Sequence, residues 1–413
     1  MKSLPDQPKQ PVRASSALVG GLDAPPSAKA VLFAMLPLRG GVAEITLPDG
    51  ETLVFGDGAG PKVDLQIRSY RFARRVLLSG DIGFAEGYMT GEWESRDLAA
   101  LLTLLAANVE RFTRLLEGGT IGKALHWLRH LSNANTKRGS RRNILAHYDL
   151  GNRFYETWLD ASMTYSAALF DAKVRDLETA QRAKYRGLAE HLDLQPGDHV
   201  LEIGCGWGGF AELAAREYGV RVTGITISDE QLAYARARMT RAGLSDRVEI
   251  RRQDYRDVEG QFDKVASIEM FEAVGEKYWR AYFDKIADVL KPGGKAGLQI
   301  ITIKDELFDK YRRRADFIQR YVFPGGMLAS IDRLKEETAK AGLAWRKAEA
   351  FGHSYADTLA EWARRFTAKW NDIRAMGFDE RFKQLWLFYL SYCEAGFRAG
   401  RTDVVQLALV KPG

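Results

Sequence analysis

Between Gly41 and Trp93 apolar residues recur at every second position in short stretches, Ala43-Glu44-Ile45-Thr46-Leu47 and Val63-Asp64-Leu65-Gln66-Ile67. Turn signals, Pro48-Asp49-Gly50 and Gly56-Asp57-Gly58, separate them, so the region predicts short half-buried strands joined by tight turns. Residues 98–116 switch to the period of a helix. The segment 118–143 places Trp127, Leu128 and Leu131 on one side beside Lys123, Arg129, Lys137, Arg138, Arg141 and Arg142, which predicts a helix running into a basic linker and a domain boundary there. From about Ala146 strand and helix patterns alternate, with strand candidates at 199–203, 220–227, 248–252, 262–268 and 294–303. That alternation predicts an α/β fold, a doubly wound parallel sheet covered by helices on both faces. A helical insertion follows over 304–321, interrupted by Phe323-Pro324-Gly325-Gly326.

The length of 413 residues allows two or three globular units. The first 30 residues are rich in Pro, Ser, Gly and Gln and lack the apolar core of a secretory signal. The expected organisation is a flexible tail over 1–39, a small α+β domain over 40–140 and a catalytic α/β domain over 145–413. The longest apolar run, residues 30–38, is about half of what a bilayer-spanning helix needs, so any membrane contact is expected to be peripheral. Lys and Arg exceed Asp and Glu by 60 to 54, a balance that suits phosphate-bearing partners. Two cysteines, Cys205 and Cys393, are too few for a disulfide framework and favour a cytoplasmic setting. No His, Cys, Asp or Glu cluster has metal-ligand spacing, and no metal is expected.

The richest stretch is Val200-Leu201-Glu202-Ile203-Gly204-Cys205-Gly206-Trp207-Gly208-Gly209, a strand, a glycine turn and a helix start. Gly204, Gly206 and Gly208 let a ligand approach bare backbone beside the unpaired amides of a helix N-terminus. Gly204, Gly206 and Gly209 also fit the dinucleotide fingerprint. Glu202, two residues before the first glycine, completes the E-x-G-x-G-x-G form typical of class I methyltransferases and favours S-adenosylmethionine. Thr226, Ser228 and Gln231 are candidates for the ribose, Gln253, Asp254 and Tyr255 for the adenine, and Ile268 for the cofactor wall. Cys205 reads as a small cofactor-proximal residue. His147 and Tyr148 read as residues over the cofactor, with His147 as a base the alternative.

His147-Tyr148-Asp149-Leu150-Gly151-Asn152, Tyr165-Ser166, the glycine turn, Gly224 to Gln231, Gln253 to Asp257, Met270-Phe271-Glu272, Phe323-Pro324-Gly325-Gly326 and Phe397-Arg398 occur in one order along the chain. Together they resemble the cyclopropane-fatty-acyl-phospholipid synthase family over about residues 45–412. The resemblance implies a class I methyltransferase (Rossmann-like) domain whose insertion covers an acyl tunnel. It also implies S-adenosylmethionine as methyl donor and an unsaturated phospholipid acyl chain as acceptor. A cytoplasmic enzyme attached peripherally to the inner leaflet, a homodimer or higher homo-oligomer, a lipid-presenting N-terminal domain and a partner oxidoreductase that modifies the product are further implied. The basic stretches at 71–75, 137–142 and 310–314 are candidates for an anionic phospholipid surface, the alternative being solvated helix faces.

In cyclopropane-forming members the base is a bicarbonate held by a glutamate, a histidine, a tyrosine and a backbone amide near a cysteine. Glu272 and Tyr355 match the glutamate and tyrosine, as Tyr165 and Ser166 match the Tyr-Ser motif. Ala167 stands where the cysteine is usual, Gln299 where His-Thr-Ile begins, Ala273 where a histidine follows Met-Phe-Glu, and Glu269 at a common glycine position. A second carboxylate repels bicarbonate and raises its neighbour's pKa toward that of a general base. Glu269, with Glu272, is therefore the expected proton acceptor, and a methyl-branched or methylene chain the expected product. Alternatives are a cyclopropane ring formed with Gln299 still bonding an anion, and a lipid-binding protein without catalysis. Cys393 matches a cysteine once considered a nucleophile, but methyl transfer to an alkene needs no covalent cysteine, and packing among aromatic and apolar residues is the expected role. No nucleic-acid motif is present.

Overall fold

The computed structural model describes residues 10–116, 150–171 and 176–413. The basic linker at 137–142, with His147, Tyr148 and Asp149, lies outside the described residues. The chain forms two compact units, and Phe378–Ala399 belongs with the N-terminal one.

The N-terminal unit contains a five-stranded sheet of β1 (Val12–Arg13), β2 (Val42–Thr46), β3 (Thr52–Gly56), β4 (Lys62–Ile67) and β5 (Trp93–Glu94), in the order β1-β3-β2-β4-β5. Alternation decides its faces: Ala43, Ile45, Leu53, Phe55, Val63 and Leu65 are buried, while Glu44, Asp64 and Gln66 lie on the more open side. The helix Leu98–Leu116 forms as its period predicts.

Two expectations about this unit are corrected. Residues 10–39 are not a tail: Ser16–Gly21 and Pro26–Met35 are helices, and Val19, Ala28, Leu32 and Leu38 are buried. The apolar positions, at helical spacing, outweigh the Pro- and Ser-rich composition. The helix Glu380–Arg398 leaves the catalytic domain, because it sets Phe388 against Tyr88 and Trp93, with ring centroids 5.7 and 6.4 Å apart. Its apolar stripe demanded a core, but the stripe alone does not say which.

The second unit carries β6 (His199–Ile203), β7 (Arg221–Thr226), β8 (Val248–Arg252), β9 (Phe262–Ile268), β10 (Leu290–Ile303), β11 (Ala344–Ala350) and β12 (Thr402–Val410), in the order β11-β12-β10-β9-β6-β7-β8. From β6 to β10 the pairings are parallel, and β12 runs antiparallel between β10 and β11. Val200 and Val222 pack with Leu188, Leu192, Phe210 and Met239 on one face, and Leu201, Ile203, Val265 and Leu298 with Trp279, Phe283 and Ile286 on the other. The sheet is thus doubly wound. Chain order reverses at β6, and the carboxyl ends of β9, β6, β7 and β8 open the crevice where such sheets bind ligands. The insertion forms as two short helices, Asp305–Tyr311 and Phe317–Tyr321. Among the described residues, no helix is long and apolar enough to cross a membrane.

Candidate active site

The glycine turn sits at the carboxyl end of β6. Gly204, Gly206 and Gly208 have φ of +80°, +52° and +82°, left-handed values that side chains disfavour. A Cβ on Gly206 would meet nothing within 4 Å, so the bare backbone there faces open space. Trp207 anchors the turn by donating from Nε1 to Asn152 Oδ1 at 2.7 Å. Cys205 is buried, and burial pushes its thiol well above its ordinary value, which suits packing and not nucleophilic attack.

The other cofactor candidates occupy the neighbouring strand ends. Thr226 Oγ1 donates to Gln231 Oε1 at 2.8 Å, and the Gln253 amide donates to the Thr226 carbonyl at 3.0 Å. Ser228 caps the helix Asp229–Ala242, its Oγ accepting from the Gln231 amide. Both Asp254 oxygens are held by Arg256, at 2.8 and 2.6 Å. Tyr255 packs edge-on against Tyr282, and burial raises its hydroxyl pKa to about 12.

Where β9 ends at Ile268 the next residue, Glu269, takes φ +49°, a left-handed backbone unusual for glutamate. Its amide donates to the Gln299 carbonyl at 2.8 Å. Its carboxylate lies at the meeting point of three donors: Oε1 accepts from the Ala167 amide at 2.8 Å and Gln299 Nε2 at 2.7 Å, and Oε2 from the Tyr355 hydroxyl at 2.6 Å. Three elements remote in sequence thus converge on one carboxylate. Burial raises the Glu269 pKa, against the lowering effects of Lys184 and these hydrogen bonds. Glu272 is next to it in the chain's turn. Its Oε1 accepts from the Ile301 amide at 2.5 Å, and its carbonyl accepts from the Met327 amide, just past the insertion, at 2.8 Å. Glu272 Oε2 is buried without a partner, and burial and then the charge of Glu269 raise its pKa to about 8.

Sequence reading missed two members of this centre. Lys184 is completely buried in the helix Leu177–Leu192, and its Nζ donates to Ser166 Oγ at 2.6 Å. Burial lowers its pKa to about 7, while Glu269, Asp160 and Glu202 act to raise it. Glu202, also buried, is pushed up to about 8 against the pull of Lys184 and Arg238. The available signal was Lys184 lying four residues from both Ala180 and Leu188 on a core-facing stripe. Gln406 on β12 is the other, and it bonds to Gln299 at 3.0 Å. Around Tyr165 the rings of Tyr155, Trp158 and Trp362 lie 5.3, 5.7 and 5.1 Å away, an aromatic wall able to stabilise positive charge. Cys393 belongs to the N-terminal unit, on the helix Glu380–Arg398.

The sequence profile of the family described as mycolic acid cyclopropane synthetase matches residues 135–407. The chain belongs to that family. It is 38% identical over 393 residues to tuberculostearic acid methyltransferase UfaA1 of Mycobacterium tuberculosis, covering 92% of this chain and 88% of the relative. It is 36% identical over 353 residues to cyclopropane-fatty-acyl-phospholipid synthase of Escherichia coli, covering 83% of this chain and 86% of that one. The solved structure of the cyclopropane synthase MmaA2 from Mycobacterium tuberculosis matches with a TM-score of 0.62 at 30% identity, over 66% of this chain and 98% of that one. The mycolic acid cyclopropane synthase CmaA1, solved with S-adenosylhomocysteine (SAH) and CTAB, also gives 0.62, at 29% identity and 66% and 98% coverage. As a family member the chain is an S-adenosylmethionine-dependent methyltransferase of fatty acyl chains. The open space before Gly206 fits that donor.

Gly206→Val is therefore expected to weaken S-adenosylmethionine binding by tenfold or more, at a backbone cost of roughly 1–2 kcal/mol. Calorimetric titration alongside a circular dichroism spectrum checks this, and undiminished affinity contradicts it.

Proposed function

We propose that the protein methylates the double bond of an unsaturated phospholipid acyl chain and that Glu269 takes the proton the resulting cation loses, giving a methyl-branched olefin when it leaves a chain carbon, or a methylene product when a hydride shift brings the cation beside the transferred carbon and the proton leaves there. One observation carries this reading: the Glu269 carboxylate already occupies the centre of the Ala167, Gln299 and Tyr355 donors. Those are the positions to which a bicarbonate site would be carried over from cyclopropane-forming relatives.

S-adenosylmethionine supplies an electrophilic methyl group on a sulfonium sulfur. The glycine turn with Thr226 and Gln231 would hold it. The alkene gives its π electrons to the new carbon–carbon bond, which leaves a cation on the adjacent chain carbon. The aromatic faces around Tyr165 stabilise that cation. Glu269 then accepts a proton from a neighbouring chain carbon, the C–H electrons form a new double bond, and the carboxylate becomes a carboxylic acid. Tyr355, against Oε2, can turn from donor to acceptor as the proton arrives. A reductase acting on alkenes would complete a saturated branch.

Methyl-deuterated donor tests the reading. A branched olefin formed by loss of a chain proton keeps all three deuteriums, whereas a methylene product, whose proton leaves the transferred carbon, keeps two. A cyclopropane ring also keeps two but carries no olefin, and its recovery as the main product overturns the proposal.

The lipid-presenting role of the N-terminal unit, self-association and attachment to the inner leaflet belong to the same proposal. Arg71 and Arg74 are exposed on the helix Arg71–Ser79, where Leu78 is 64% exposed. Arg313 and Arg314 are exposed in the insertion. Each basic side chain near an anionic surface contributes about 1 kcal/mol. Co-sedimentation with vesicles is expected to rise with anionic lipid and fall with salt; binding insensitive to both contradicts the surface assignment.

A further inference from the structure

Gln299 on β10 and Gln406 on β12 face each other in the antiparallel register, and both are buried in the middle of the sheet. A glutamine amide has a donor end and an acceptor end, and its partners decide which way round it sits. Here they form a chain with a fixed end. The Lys184 carbonyl can only accept, so Gln406 presents Nε2 to it, at 2.9 Å. The same nitrogen donates to Gln299 Oε1 at 3.0 Å. With Oε1 engaged, Gln299 turns Nε2 to Glu269 Oε1 at 2.7 Å. Close packing holds Gln406 as well, since a Cβ on Gly187 would lie 3.0 Å from its Oε1.

We propose that Gln406 is a positioning residue for the methyl transfer: it fixes the polarity of the Gln299 amide so that Glu269 meets a hydrogen-bond donor and not a second oxygen. The inference rests on Glu269 as the base. Reversed, the amide would set an oxygen against a carboxylate oxygen, a repulsion that moves the carboxylate or protonates it before substrate arrives. In the observed order, Gln299 and Ala167 fix one oxygen of Glu269 and Tyr355 the other. The charged and titratable groups around this carboxylate are Lys184, Glu272 and Tyr355.

A double-mutant cycle with Gln299→Leu, Gln406→Leu and the pair tests the assignment. Gln406→Leu is expected to lower kcat by about tenfold with the KM for S-adenosylmethionine within about twofold. It also moves the acid limb of the kcat profile to higher pH, because a carboxylate that loses a donor holds its proton more tightly. In the Gln299→Leu background the same change is expected to alter kcat by less than about twofold, since no amide remains to be oriented. Equal losses in both backgrounds, or an unmoved acid limb, overturn the proposal. Gln406→Met, close in volume, replaces Gln406→Leu in the cycle if thermal unfolding shows that the leucine variant does not fold. The two layers separate cleanly: full activity in Glu269→Gln sinks the base, whereas an inactive Glu269→Gln with an additive cycle sinks only the role of Gln406.

Discussion

Glu269→Gln is expected to lower turnover by about 10²–10⁴-fold, the range a positioned general base contributes, without weakening the methyl donor's binding. Glutamine keeps the size of the side chain and its contacts with Ala167 and Tyr355 but cannot take the proton. Glu269→Gly asks a sharper question. The backbone at 269 has φ +49°, which glycine adopts freely and glutamate does not, so the glycine variant relieves backbone strain there while it orphans the donors. Removing the side chain leaves the Ala167 amide, Gln299 Nε2 and the Tyr355 hydroxyl pointing at an anion-sized space. The glycine variant is expected to be inactive in bicarbonate-free buffer and to recover in bicarbonate. With methyl-deuterated donor its product then shifts toward the ring that keeps two deuteriums. Near-normal activity of Glu269→Gln without bicarbonate contradicts the assignment of the base.

Lys184→Met should destabilise the fold by about 3 kcal/mol, the scale set by leaving buried charge without its partner. The ammonium is completely buried and acted on by Glu269, Asp160 and Glu202. Its loss also releases Ser166, and with it the segment that aims the Ala167 amide at Glu269. The pH dependence gives an independent check. Glu202 and Glu272 rise from 4.5 to about 8, so the folded protein binds more protons than the unfolded chain between those values, and stability falls as pH rises through them. Lys184 drops from 10.5 to about 7, so the folded protein binds fewer protons in that window, and stability recovers as pH rises through it. Calorimetry of the donor-free protein is expected to show a shallow minimum in Tm near pH 8, where the two windows meet. Lys184→Met should lose the alkaline recovery. A variant whose Tm follows the parent's across the whole range would remove Lys184 from this account.

The catalytic sheet was legible because its central strands read as largely apolar runs ended by glycines or polar residues, and its edge strand β8 by alternation of buried and exposed positions. The expected 199–203, 248–252 and 262–268 coincide with β6, β8 and β9. Glu269 was legible for another reason: it stands out as a charge beside a familiar motif. What placed it among its donors was not legible. Gln406 lies 222 positions from the Lys184 carbonyl that orients it, and no local pattern encodes that pairing. Lys184 hid for the opposite reason, as a residue type expected on a surface but set on a helix's buried stripe. Asp254 illustrates a third limit, since only the fold reveals that Arg256 takes both its oxygens.

The path of the chain near residue 380 bears on how the protein is made. A ribosome delivers residues in order, and an N-terminal domain ordinarily closes soon after it emerges. Here the N-terminal sheet waits for Glu380–Arg398, while the catalytic sheet waits for β12, Thr402–Val410, which must enter between two strands already formed. At ~5–20 residues per second, the first unit stays incomplete for on the order of ten seconds or more after its own strands are out. During that interval the seat of Phe388 beside Tyr88 and Trp93 is open, an exposed apolar surface on a nascent chain. The helix Glu380–Arg398 is thus a timing device as well as a packing element: neither unit reaches its final form until residues 380–410 have emerged.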